Sequence, residues 1–253
     1  MDKILAILII SFLGPMLGSF FGIFKSYSEK QIRYLLLFAA GVMTAVSVFQ
    51  LLPQSLKLQN SRIAIMGLVA GGFLMYLFNI LLPHYHHLKA SGLPEVGDLK
   101  RMATFLFIGI SLHNLPEGFA IGVGAMSNLS FSLLIALAIS LHDIPEAICI
   151  AAPYYYNTKN RFKAFFLTLL TFIPTMAGFL ISYSIMKNIS DFWLALFISF
   201  TAGIMLYISM FEIIPRSATN KNMEKKKMFL SLTMGITFVL LLQQLITLLG
   251  IYK

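Results

Sequence analysis

Residues 40–55 read Ala-Gly-Val-Met-Thr-Ala-Val-Ser-Val-Phe-Gln-Leu-Leu-Pro-Gln-Ser, and residues 202–217 read Ala-Gly-Ile-Met-Leu-Tyr-Ile-Ser-Met-Phe-Glu-Ile-Ile-Pro-Arg-Ser. At a constant offset of 162, seven of the sixteen positions are identical. Ala40 pairs with Ala202, Gly41 with Gly203, Met43 with Met205, Ser47 with Ser209, Phe49 with Phe211, Pro53 with Pro215 and Ser55 with Ser217. Apolar helices match by chance easily, but Gly, Pro and Ser at fixed spacing do so less. A weaker echo links Gly14 through Gly18 with Ile173 through Gly178.

The surroundings of both stretches are apolar. Of 253 residues, 58% are hydrophobic and 11% charged, with a mean hydropathy of +0.83. A soluble domain runs about 45–50% apolar and about 25% charged, so an ordinary cytosolic enzyme is excluded. Crossing about 30 Å of hydrocarbon takes about 20 helical residues. Eight stretches qualify: 4–24, 33–53, 63–82, 101–126, 130–152, 162–186, 191–214 and 228–251. The first is too long for a signal-peptide core and lacks an Ala-x-Ala cleavage pattern, so it reads as a span. The chain 1–253 is therefore expected to be a single all-α polytopic membrane domain. The two matching stretches fall in spans 2 and 7, which cross in opposite directions. Spans 1–3 and 6–8 then form inverted repeats around spans 4 and 5, a 3+2+3 arrangement in which substrate sites lie near the midplane.

Orientation follows from the cations. With both termini outside, the inner loops hold Lys25, Lys30, Arg33, Lys89, Lys100, Arg101, Lys159, Arg161, Lys163, Arg216, Lys221, Lys225, Lys226 and Lys227. The outer side keeps only Lys3, Lys57, Arg62, Lys187 and Lys253. That bias places both termini on the non-cytoplasmic face. The net charge of +9 thus reflects topology, and no nucleic-acid partner is expected. Lys225, Lys226 and Lys227 read as a topology determinant beside anionic lipid. Cys149, the single cysteine, reads as a small buried hydrophobe.

Span 4 carries His113-Asn114-Leu115-Pro116-Glu117-Gly118 and span 5 carries His142-Asp143-Ile144-Pro145-Glu146-Ala147, both of the form His-x-x-Pro-Glu. Each lies about a dozen residues into its span, near mid-depth. An acid at the bilayer centre costs about 2.5–3.5 kcal/mol, so three of them persist only facing one another, a cavity or a cation. His and Glu at i and i+4 share a helix face. Two antiparallel helices then bring two imidazoles and two carboxylates together, a mixed N/O set suited to zinc or iron rather than magnesium or calcium. Asn114 and Asp143 point about 100° away and offer a second, oxygen-rich position. Pro116 and Pro145 free the carbonyls of Leu112 and Leu141. Gly118 and Gly122 let a neighbouring helix approach closely.

These residues resemble the ZIP family of divalent-metal transporters, which carries a His-Asn-x-Pro-Glu-Gly motif on its fourth helix and a His/Gln-x-x-Pro-Glu motif on its fifth. The resemblance covers the whole chain. It implies movement of zinc, and in many members iron, manganese or cadmium, into the cytoplasm, with metal as substrate rather than cofactor. It maps a first metal position onto His113, Glu117, His142 and Glu146, with Met43 contributing from the side. A second maps onto Asn114 and Asp143, with both glutamates bridging. Many members have a glutamate before the proline of span 6, where this chain has Ile173.

Two further groups are candidates. His84, His86 and His87 lie in the loop after span 3, where they would take up metal leaving the pathway. Glu212, the repeat mate of Gln50, sits near the cytoplasmic end of span 7 on the expected exit path. The competing reading is a zinc-dependent intramembrane hydrolase, but His-Glu-x-x-His is absent and no separate nucleophile is present. The expected partners are divalent metal ions and the lipid bilayer, with a homodimer the form that self-association would take. The expected location is the plasma or inner membrane.

Overall fold

The computed structural model describes residues 2–81, 96–127, 129–184, 189–218 and 223–248. Among these, eight helices are long and apolar enough to cross a membrane, and there are no strands. They are α1 (Asp2–Phe24), α2 (Glu29–Leu58), α3 (Ser61–Leu81), α4 (Val96–Ser127), α5 (Leu129–Thr158), α6 (Arg161–Ser184), α7 (Asp191–Ser217) and α8 (Lys225–Leu248). Short polar turns start them. Ser28 Oγ accepts the N–H of Gln31 while the Gln31 side chain accepts the N–H of Ser28, a reciprocal cap that begins α2. Asn160 Oδ1 accepts the N–H of Lys163 and begins α6.

Two helices run past the prolines at which the apolar stretches were expected to close. Spans expected over 33–53 and 130–152 are helices Glu29–Leu58 and Leu129–Thr158. Pro53 lies in the first turn of the Leu52–Leu58 segment, where its missing N–H is harmless. Beyond Pro153, the carbonyls of Pro153 and Tyr154 accept from the side chains of Asn157 and Thr158, so the last turn stays satisfied.

α2 and α7 are irregular at matching places. A π-helical turn spans Ser47–Leu51 in α2 and Ile208–Ile213 in α7. Each leads into a proline, Pro53 or Pro215, that cannot donate to the carbonyl four residues back, and the wider turn absorbs the mismatch. Ser47 Oγ donates to the Met43 carbonyl at 2.8 Å, and its repeat mate Ser209 donates to Met205 at 2.7 Å.

The helices pack chiefly as α1 with α5, α4 with α6, α3 with α7, α2 with α8, and α4 with α5. α2 also touches α5, and α7 touches α4. Exchanging helices 1 with 6, 2 with 7, 3 with 8 and 4 with 5 leaves this scheme unchanged, which is the pattern an inverted repeat requires. The closest approaches follow it residue by residue. Gly41 lies against the backbone of Leu232 and Ile236, and its mate Gly203 against Leu68 and Gly72. An added Cβ at either would strike a carbonyl oxygen.

The main apolar core joins the first half of α2 and α4 to the second half of α5 and α7, through Ile32, Leu36, Leu106, Ile110, Cys149 and Ile208. A smaller cluster of Ile7, Ile121, Ile139 and Phe179 lies toward the other end. Large side chains such as Phe24, Val69, Phe229 and Leu241 face outward, as on a surface solvated by lipid.

Candidate metal site

His113, Asn114 and Glu117 on α4 and His142, Asp143 and Glu146 on α5 are all buried, none more than 5% exposed. Their depth follows from close helix contact. Gly118 lies against Thr175 of α6, Gly122 against Phe179 and Ser182 of α6, and Gly18 of α1 against Ala147. The small-residue pair on α4 therefore meets α6, while α5 is flanked by α1.

The imidazoles bond across the helix pair rather than along one helix. His113 Nε2 lies 2.9 Å from Glu146 Oε2, and His142 Nε2 lies 3.3 Å from Glu117 Oε1. The i, i+4 spacing puts each histidine and glutamate of one motif on the same face, and the facing helix then supplies the partner. Asp143 Oδ1 is 3.7 Å from His142 Nε2, beyond hydrogen-bond reach. Among the described residues, Glu117, His142 and Asp143 form a group whose ligand atoms all lie within 4.8 Å of one another.

The cluster is under-satisfied. His113 Nδ1, Asn114 Oδ1, Glu117 Oε2, Asp143 Oδ1 and Glu146 Oε1 are buried and have no hydrogen-bond partner. Leaving a buried polar atom unmet costs about 1–3 kcal/mol, more for a charged group. Five such atoms around three carboxylates leave the cluster with unmet capacity to accept and coordinate.

The neighbours differ from expectation at α6. Ile173 is 52% exposed and turns toward the outer surface, so the cluster is approached by other residues of that helix. The α-helical geometry is interrupted between Leu169 and Phe172, because Pro174 cannot donate to the Leu170 carbonyl, which takes the Ile173 N–H at 3.1 Å instead. At that break the Thr171 carbonyl accepts from Asn114 Nδ2 at 2.8 Å. Asn114 is thereby fixed with its amide oxygen unpartnered. Thr175, one turn on, is buried with its hydroxyl unpartnered.

Met43 is fully buried in the main apolar core with its repeat mate Met205. Glu212 is buried and its carboxylate is 2.8 Å from Arg216 Nε. His84, His86 and His87 lie outside the described residues.

A cavity of about 220 Å³ leads to the cluster. Glu117 and His142 stand in its wall, and Gln50, Gln54 and Thr201 supply the other polar side chains. It runs between the C-terminal parts of α2 and α4 and the N-terminal parts of α5 and α7. Gln50 and Gln54 were not singled out as site residues. The available sign was that Gln50 is the repeat mate of an acid within an apolar span.

The sequence matches the family model described as ZIP zinc transporter over residues 89–243. It is also similar to proteins named zinc transporter ZupT from Salmonella paratyphi A, Salmonella heidelberg and Salmonella newport. Each is 35% identical over 206 residues, which is 79% of this chain and 80% of the relative.

Proposed function

Since the chain belongs to the ZIP zinc transporter family, we propose that zinc is its principal substrate and crosses the membrane through the six-residue cluster shared by α4 and α5. The protein is a multi-pass membrane transporter for divalent metal ions and not an enzyme. The metal is cargo, bound and released, rather than a resident cofactor.

The observation that carries this reading is the set of five unpartnered buried polar atoms at the cluster. A structural polar network would satisfy its own members, since unmet groups at that depth are costly. A transport site must instead leave ligand capacity open. Imidazole nitrogen with carboxylate and amide oxygen suits zinc or a neighbouring first-row metal. Glu117, His142 and Asp143 are already gathered, and His113, Glu146 and Asn114 complete the shell once the cross-helix pairs let go. Those pairs keep the ligands in place between passages and give way when a divalent ion offers a stronger partner.

Direction follows from the charge bias, which supports both termini outside. The cavity beside Gln54 then faces outward, and uptake runs toward the cytoplasm.

The test is zinc influx into proteoliposomes loaded with a fluorescent chelator, wild type against Glu146→Ala. Saturable influx that collapses in the variant is the expected result. Equal influx through both proteins would remove the cluster from the pathway.

A further inference from the structure

Among the described residues, the open cavity has a packed counterpart. Shift its α2 residues by 162 and Gln50 and Gln54 become Glu212 and Arg216. Exchange α4 with α5 at the offset of 29 that relates His113 to His142, and Ala120 becomes Cys149 and Ile139 becomes Ile110. Ile198 of α7 becomes Leu36 of α2. On the cavity side Ala120, Ile139 and Ile198 line the cavity, although Ile139 and Ile198 are themselves buried, at 9% and 4% exposed. Their mates Leu36, Ile110 and Cys149 are at most 2% exposed and belong to the main apolar core. Equivalent apolar positions therefore line a cavity at one end and pack into the core at the other.

The two mouths differ chemically, most plainly in the charge of the pair on α2 and α7. At the parted mouth the i, i+4 pair on α2 is two neutral amides, Gln50 and Gln54. At the packed mouth it is an ion pair, with Arg216 Nε 2.8 Å from Glu212 Oε1 and the glutamate side chain 2% exposed. Arg216 is also held through its backbone, because Arg33 Nη1 donates to the Arg216 carbonyl at 2.9 Å. Arg33 is itself 2.7 Å from Glu29. These contacts run from the end of α7 to the start of α2. The matching join at the parted mouth is a neutral bond, Ser55 Oγ to the Ala195 carbonyl at 2.9 Å, and Ala195 is the repeat mate of Arg33.

We propose that Arg216 locks a second vestibule, the mate of the open cavity, by occupying the Glu212 carboxylate that a departing cation would otherwise meet. The proposal rests on the transport reading above and adds a positioning residue to it. A guanidinium 2.8 Å from a nearly dry carboxylate attracts it strongly by charge, and a divalent ion arriving from the cluster competes for the same oxygens. Opening then requires the ion pair to part, which ties release of the barrier to the presence of cargo.

Cys149 reports on this directly. It is the only cysteine, is buried in the main apolar core, and is the mate of Ala120 in the open cavity. The full-length protein in nanodiscs is treated with a membrane-impermeant maleimide, without metal. The main variant, Glu212→Gln with Arg216→Gln, copies the amide pair of the open side and leaves no buried charge unpaired. Cys149 is expected to react about tenfold faster in it, the population shift that losing roughly 1.4 kcal/mol produces. Glu212→Arg with Arg216→Glu keeps the pair and should react as slowly as wild type. In a Cys149→Ala background, Ala120→Cys on the open side should react readily, and more slowly once the amide pair is added. The proposal is overturned if Cys149 reacts at the wild-type rate in the amide variant. It is equally overturned if the exchanged pair reacts as fast as the amides, or if both cysteine positions speed up together, as in a merely loosened protein. Labelling needs no transport, so failure of the zinc pathway and failure of the lock are read separately.

Discussion

His113 Nε2 and Glu146 Oε2 meet at 2.9 Å across the α4–α5 contact, and the equivalent pair, His142 with Glu117, meets at 3.3 Å. Each motif thus supplies one histidine and one glutamate to the other. Neither histidine finds its glutamate partner on its own helix.

Glutamine at either glutamate tests that mutual dependence. Glu117→Gln and Glu146→Gln keep an amide oxygen for the histidine but remove an anionic ligand. Both should cut zinc influx in proteoliposomes by at least about tenfold, which corresponds to roughly 1.4 kcal/mol. A variant retaining full influx would show that its carboxylate is not a ligand.

Asn114 has two tasks that substitution separates. Asn114→Asp keeps an oxygen toward the cluster but loses the donor to the Thr171 carbonyl, whereas Asn114→Ala loses both. Each should lower stability by about 1–3 kcal/mol through the stranded carbonyl. Only the alanine variant should also weaken zinc binding, measured by calorimetry on the purified protein.

The repeat predicts equivalent damage at equivalent glycines. Gly41→Ala and Gly203→Ala each drive a Cβ into a neighbouring carbonyl, at Leu232 and Leu68. Each should cost about 1–3 kcal/mol. Gly72→Ala meets nothing closer than 3.7 Å and should be near neutral. Thermal unfolding in detergent ranks the three, and a harmless Gly203→Ala beside a damaging Gly41→Ala would contradict the equivalence.

Glu224 offers a pH test outside the spans. Hydrogen bonds from Lys227 and then Lys30 hold its carboxyl below the usual range. A depressed carboxyl contributes stability above its unfolded pKa and loses it as pH falls through the folded value. The melting-temperature difference between wild type and Glu224→Gln should therefore be present at neutral pH and vanish under acid. It should also shrink with salt, because the pair is exposed. A difference that persists below both pKa values would sink this account.

The eight spans, the motif pair and the repeat were legible because each has a local cause. Hydropathy over about 20 residues decides whether a segment can span, and the recurrence of Gly41 and Pro53 at Gly203 and Pro215 needs no three-dimensional knowledge. The π-helical turns were not legible. Proline marks where a carbonyl is freed, but whether the chain kinks, breaks as α6 does near Thr171, or widens as α2 and α7 do depends on the neighbouring helices.

What the sequence alone determined is the set of residues that cannot be left in lipid: His113, Glu117, His142, Asp143 and Glu146 must share an enclosed place, because the energetic cost of exposure is intrinsic to each side chain. Tertiary structure decided how they pair and what surrounds them. It crossed the histidine–glutamate pairs between helices, turned Ile173 outward and brought the Thr171 carbonyl to Asn114. It also left a cavity beside Glu117 and His142 while packing Leu36, Ile110 and Cys149 into the main apolar core. The matched stretches 40–55 and 202–217 mark equivalent places in the chain, but what packs there depends on side-chain contacts between distant segments, such as Arg33 with the Arg216 carbonyl, that no periodicity encodes.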